Sequence, residues 1–98
     1  MMLRIDPEKN EVHALKEMTV WRGKRVLEIG CGDARLTQRL ANLGAQVNAI
    51  DPNKTLIATA RKELPERFSD RVRFKVGSTE ELKYPDQTFD IVVFSWVL

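Results

Sequence analysis

The chain is poor in most residue types that would point to a specialised setting. One cysteine among 98 residues excludes an internal disulfide and fits a reducing, cytoplasmic compartment. Long apolar runs are missing. The longest lies at the extreme C-terminus, far below the roughly 20 residues that a membrane-spanning helix needs, so no membrane partner is expected. The N-terminal MMLRIDPEKNEV has no apolar core and does not read as a signal peptide. Charge of one sign is also lacking. A net charge of +2 is too small to argue for nucleic acid or an anionic surface. Internal repeats, low-complexity tracts and linkers are absent.

What remains is an ordinary globular composition, 43% hydrophobic and 31% charged, which places the chain among water-soluble folded domains. Its length suits one small domain and falls below the usual size of a complete α/β nucleotide-binding enzyme. A chain of this size buries roughly 60–65% of its unfolded surface, so the core is modest.

Asp6-Pro7-Glu8 is a helix-start signal, and Val12, Leu15 and Met18 follow at helical spacing, predicting an N-terminal helix to about residue 20. Trp21 to Lys24 reads as a turn. Arg25 to Ile29 is the first predicted strand, ending at Gly30. A helix from about Ala34 carries Leu36, Leu40 and Leu43 on one face and stops at Gly44. Val47, Ala49 and Ile50 form a second strand that ends at Asp51-Pro52. The next helix carries Leu56, Ile57, Ala60 and Leu64, and Pro65 closes it. Val72, Phe74 and Val76 alternate with Arg73 and Lys75 in a third strand. The polar stretch 77–88 holds at most one helical turn. A fourth strand runs from Phe89 to about Trp96.

Strands alternating with helices imply parallel βαβ units. With strands two and three stepping outward on one side of strand one, right-handed crossovers put their helices on one face, and strand four pairs on the other side, an order of 3-2-1-4. The fold class expected is α/β, a partial Rossmann-like parallel sheet. The chain reverses direction between strands one and four, and open α/β sheets bind ligands at such a switch point. Gly30 and Ser95 border that crevice. Strand four is apolar on both alternating sets and would form a bare edge, an association hazard. Pairing with a second copy or a partner chain through the 89–96 edge is therefore expected.

The segment VLEIGCGDAR carries the chemistry. Gly30 and Gly32 permit a sharp turn and close approach of a ligand, beside a helix start with its positive dipole end. A dinucleotide fingerprint wants a third glycine at position 35, where this chain has Arg35. Asp51 ends the second strand about 20 residues on, as a ribose-binding carboxylate should. The competing reading is that Asp51 merely caps the helix after Pro52.

VLEIGCGDARLT, AIDPNKTLIATARKE and VRFKVGSTEELKYPDQTFDIVVFSWVL together resemble the first three signature regions of class I S-adenosylmethionine-dependent methyltransferases, closest to the small-molecule type. The resemblance covers Arg25 to Leu98. It implies one incomplete domain over residues 1–98, with the N-terminal helix in 1–20 and a cofactor-binding core in 25–98. In the family's acidic-x-Gly-x-Gly-x-Gly loop, Glu28, Gly30 and Gly32 match, and Ala34 replaces the last glycine. The implied cofactor is S-adenosylmethionine, with S-adenosylhomocysteine as product, a ligand without phosphates.

By the same resemblance, Glu28 and the Gly30–Cys31–Gly32 backbone face the methionine portion. Asp51 takes the ribose hydroxyls and Pro52 lies beside the adenine. Ser78 and Thr79 stand where the family often has an acidic residue and a backbone donor for the adenine. Ser78 departs from that pattern, and Glu80 is the nearby carboxylate that could stand in. Ser95 lines the methyl end. No catalytic base and no metal ligand are assigned. The partner implied is a small-molecule methyl acceptor. The Asn/Asp-Pro-Pro-Tyr signature of amino-group nucleic-acid methyltransferases is missing, because strand four runs into FSWVL. Two other classes remain open: an NAD(P)-binding Rossmann domain, and a non-catalytic interaction module of the same fold. Cys31 lacks an adjacent base and is not read as a nucleophile. His13 reads as solvated, Trp21 and Trp96 as packing residues. The basic series Arg61, Lys62, Arg67, Arg71, Arg73 and Lys75, interrupted by Glu63, Glu66 and Asp70, reads as a solvated face.

Overall fold

A computed structural model describes residues 2–5, 12–78 and 88–95. Five strands, β1 (Met2–Ile5), β2 (Arg25–Ile29), β3 (Gln46–Asp51), β4 (Val72–Val76) and β5 (Ile91–Ser95), form one sheet in the order β1-β5-β2-β3-β4. Every neighbouring pair is parallel. Among the described residues three helices, α1 (Val12–Met18), α2 (Arg35–Asn42) and α3 (Lys54–Glu63), connect the first four strands, and a 3-10 turn follows at Glu66–Phe68.

The four strands expected from the sequence lie in the expected relative order. The fifth corrects two expectations. Met2–Ile5 is a strand, so the N-terminal region is not simply a helix. It pairs parallel with β5, Met2 opposite Val92 and Ile5 opposite Ser95. The edge of the 89–96 segment is therefore covered by the chain itself, and the argument for association through that edge fails. The edge of the sheet on this side is instead a four-residue strand carrying Arg4, a short edge of the kind that limits strand addition.

The sheet's two faces differ, as its alternation dictates. Val26, Val47, Ala49, Ile91 and Val93 point to one face. There they meet Leu15 of α1, Leu36, Leu40 and Ala41 of α2, and Ile57 and Ala60 of α3 in a single buried cluster. Leu27, Ile29 and Ile50 point to the other, against half-buried Phe89, Val92 and Phe94. All three described helices share the first face, as the crossover rule requires. Trp21 belongs to that core, its indole N–H donating to the Leu15 carbonyl at 2.7 Å. Trp96 and the helical turn expected near 79–82 lie outside the described residues, as does the side chain of His13.

Local stops act as the sequence indicates. Gly44 ends α2 with φ +96°. Its N–H reaches the Ala41 carbonyl and the Ala45 N–H reaches that of Leu40, the paired bonds of a Schellman closure. A side chain there would place its Cβ 3.0 Å from Arg22 Cα. Asn53 starts α3, its Oδ1 accepting from Leu56 N–H at 3.0 Å. Among the described residues no helix is long and apolar enough to cross a membrane.

Candidate cofactor site

Parallel strands bring their C-terminal ends to one edge of the sheet. The register sets Ile29 beside both Ile50 and Phe94, and Asp51 beside Val76. Ser95, Gly30, Asp51 and Gly77–Ser78 consequently follow one another along this edge. The crevice between β2 and β5 is the point where the connections reverse direction.

The loop after β2 is bent at alternate residues: Gly30 has φ +80°, Gly32 +55° and Ala34 +66°. Ala34 is the one described residue other than glycine with a positive φ. It stands at the start of α2 where the resembling motif has its last glycine. Backbone bonds tie the loop to β3. The Gly30 and Cys31 N–H groups both donate to the Ile50 carbonyl, at 2.9 and 3.0 Å.

Asp51 is the junction of the site. Its Oδ2 accepts from Gly32 N–H at 3.0 Å and its Oδ1 from Asn53 N–H at 2.8 Å. Its carbonyl accepts from Gly77 N–H at 3.0 Å. The loop after β2, the entry to α3 and the exit from β4 all meet on this one residue. The helix-capping alternative for Asp51 is ruled out, because Asn53 supplies the cap. A carboxylate has about four acceptor positions, so roughly two remain for a ligand. The side chain is 8% exposed, set at the rim of the sheet rather than sealed beneath it.

Three carboxylates surround the loop. Glu28 is fully buried on the helix-covered face of β2, and Thr37 Oγ1 of α2 donates to its Oε1. Asp33 is exposed; its Oδ1 accepts from Arg35 N–H and its Oδ2 from the Arg35 guanidinium, both at 3.0 Å. Cys31, 1% exposed, senses all three. Burial pushes its thiol well above the usual range, and the charges of Glu28, Asp51 and Asp33 push the same way. It stays protonated, which removes it as a nucleophile.

Pro52 is exposed beside Asp51, and Ser78 is half-buried just after Gly77. Ser95 ends β5, with its backbone opposite Ile5. Thr79 and Glu80 lie outside the described residues. Thr37 and Asn53 are the two residues that sequence reading missed. The signal for Thr37 was a glutamate inside the apolar strand VLEI, since a buried carboxylate needs a polar partner from the helix above it.

The basic series is largely spent on the protein itself. Arg61 donates to the Phe74 carbonyl at 2.8 Å, and Arg73 to the Ser69 carbonyl at 2.9 Å. Arg67 and Arg71 lie over the Phe68 ring, 4.5 and 5.4 Å from its centre. Among the described residues no group of three His, Cys, Asp or Glu could hold a metal ion.

Comparison with known proteins decides between the families that share this edge. The methyltransferase domain family matches residues 27–98. The chain belongs to that family. Within it, the chain is 36% identical over 85 residues to the mitochondrial ubiquinone biosynthesis O-methyltransferase of Schizosaccharomyces pombe, covering 85% of this chain and 31% of the relative. In three dimensions it resembles a protein of Listeria monocytogenes assigned as an S-adenosylmethionine-dependent methyltransferase. The TM-score is 0.74 at 26% identity, over 88% of this chain and 40% of the other. The glycopeptide N-methyltransferase MtfA, solved with S-adenosylmethionine, gives 0.70 at 28% identity over 85% and 37%. The chain thus spans about a third of the length of this curated relative.

Proposed function

We propose that this methyltransferase-family chain binds S-adenosylmethionine at the C-terminal edge of its sheet, as the cofactor-binding part of an enzyme that methylates a small molecule. The observation that carries the reading is the bond between Asp51 and Gly32 N–H at 3.0 Å. It holds a carboxylate with free acceptor capacity directly against a left-handed glycine turn, so that one nucleoside can touch both.

The residues fit a phosphate-free, positively charged nucleoside better than a dinucleotide. A pyrophosphate seat needs open N–H groups at the helix start, yet Asp33 already occupies the first N–H of α2, at Arg35. Asp33 is paired with the Arg35 guanidinium, but Glu28 and Asp51 place two further carboxylates at the loop, which opposes a pyrophosphate and favours a sulfonium. In this reading Asp51 accepts from the ribose hydroxyls, Pro52 borders the adenine, and Ser78 and Thr79 serve its polar edge. The Gly30–Cys31–Gly32 backbone meets the methionine half, with Glu28 behind it, and Ser95 lines the methyl end. When bound, the cofactor supplies a methyl group on an already activated sulfur, so the protein contributes chiefly alignment of the acceptor. A relative named for ubiquinone biosynthesis supports a small-molecule acceptor, and the single buried cysteine supports a cytosolic setting.

Calorimetric titration of the chain with S-adenosylhomocysteine and, separately, NAD tests the reading. The first should bind and the second should not. NAD binding without S-adenosylhomocysteine binding at millimolar concentration would overturn it.

A further inference from the structure

The base of the glycine loop holds a buried polar pair. Glu28, in the middle of apolar β2, and Thr37, in the first turn of α2, are both 0% exposed. The Thr37 hydroxyl donates to Glu28 Oε1 at 2.5 Å. Glu28 precedes the bent segment 30–34 by two residues and Thr37 follows it by three. Their bond therefore closes the loop where strand ends and helix begins. The bonds from Gly30, Cys31 and Gly32 run sideways to β3; this one instead fixes α2 over β2. A carboxylate out of water bonds more strongly than a neutral pair would, so the two elements part only at high cost.

We propose that Thr37 is a positioning residue for the cofactor. Through Glu28 it sets the backbone of residues 30–34, the part that meets the methionine half, while Asp51, held also by Asn53 N–H, grips the sugar from the end of β3. The proposal rests on the S-adenosylmethionine reading above. It makes the two halves of the ligand separable: damage at Thr37 should tell on the amino-acid end and spare the nucleoside.

Thr37→Val keeps the shape and removes the donor. Binding of S-adenosylhomocysteine and of adenosine alone would be measured by calorimetry on the wild type and on the variant. S-adenosylhomocysteine affinity should fall roughly ten- to thirtyfold and adenosine affinity by less than about threefold, the size of a minor packing change. Thr37→Ser, which restores the hydroxyl, should recover most of the loss. Glu28→Gln, which keeps the volume and weakens the same bond, should reproduce the selective loss if the valine variant is too unstable to purify. Equal losses for both ligands would mean general softening of the fold and would overturn the proposal, as would no loss for either. A wild-type chain that binds neither ligand would remove the cofactor reading and this proposal together.

Discussion

Asp51→Asn is nearly isosteric, yet it should be one of the most damaging single changes available. The two carboxylate oxygens accept from different backbone donors, Asn53 N–H at 2.8 Å and Gly32 N–H at 3.0 Å. An amide has one oxygen. Whichever way it is turned, its NH2 group faces one of those N–H groups, donor against donor. A lost bond to a charged acceptor costs about 1.5–3 kcal/mol. The surviving bond, now to a neutral oxygen, keeps about half its strength. At 8% exposure water does little to restore either, so a total near 2–4 kcal/mol follows. For a domain of this size each kcal/mol moves the melting temperature by about 4–8 °C, so a drop of at least about 8 °C is expected.

Thermal and urea unfolding followed by circular dichroism would read the stability, and titration with S-adenosylhomocysteine the site. On the proposed reading affinity should fall at least about tenfold, because the ribose would lose a charged acceptor. Asn53→Ala is the control. It deletes the α3 cap, worth about 1 kcal/mol, while its own N–H still reaches Asp51. Stability should fall there while affinity stays within about twofold. An Asp51→Asn protein melting within about 2 °C of wild type would refute the idea that this carboxylate joins the three segments.

Three other outcomes are expected. Cys31, buried and held protonated, should resist iodoacetamide at pH 8 in the folded chain and react promptly in denaturant; rapid labelling of folded protein would show an open loop. Asp90 clasps the start of β2, accepting from Arg25 N–H at 2.8 Å and from its guanidinium. The backbone donor, then the guanidinium, hold its carboxyl below the ordinary 3.8. Its stabilising effect is therefore complete above about pH 4 and lost as pH falls through the lowered value. The stability gap between wild type and Asp90→Asn should be level near neutrality and close in acid, and a gap that widens in acid would contradict the assignment. Deleting residues 1–5 strips β1 from β5 and should make the mass seen by light scattering rise with concentration; a constant mass would show that β5 needs no cover.

The pattern of what could be read from the sequence follows the range of the forces involved. β2, β3 and β4 and the helices α2 and α3 announce themselves through local periodicity and through stops such as Gly44 and Pro65, whose effects act within a few residues. β1 does not. Its four residues pair with Met2 opposite Val92, a contact between the ends of the chain that no local pattern encodes, and the helix signal at Asp6-Pro7 draws attention past it. The site divides in the same way. Gly30, Gly32 and Asp51 are legible by spacing. That Asp51 bonds Gly32, while Asn53 takes over the capping role, depends on how the ends of β2 and β3 abut.

Ala34 shows how the loop keeps its shape without the third glycine of the motif. An L-residue held at φ +66°, ψ +19° costs about 1–2 kcal/mol relative to an ordinary conformation. Against that, the methyl group is 1% exposed, and burying it returns about 0.8 kcal/mol. Alanine also has less freedom to lose on folding than glycine, worth about 0.4–1 kcal/mol. The opposing effects nearly cancel, so alanine is tolerated where a bulkier residue, bearing the same strain plus overpacking against α2, would not be. Arg35 then poses no steric problem, since it starts the helix and turns outward onto Asp33. The glycine that a dinucleotide loop requires at that position serves a phosphate and a close helix approach. Here the Asp33 carboxylate accepts from the helix-start N–H of Arg35, so on the proposed reading a large cation at position 35 and a phosphate-free ligand belong to the same solution.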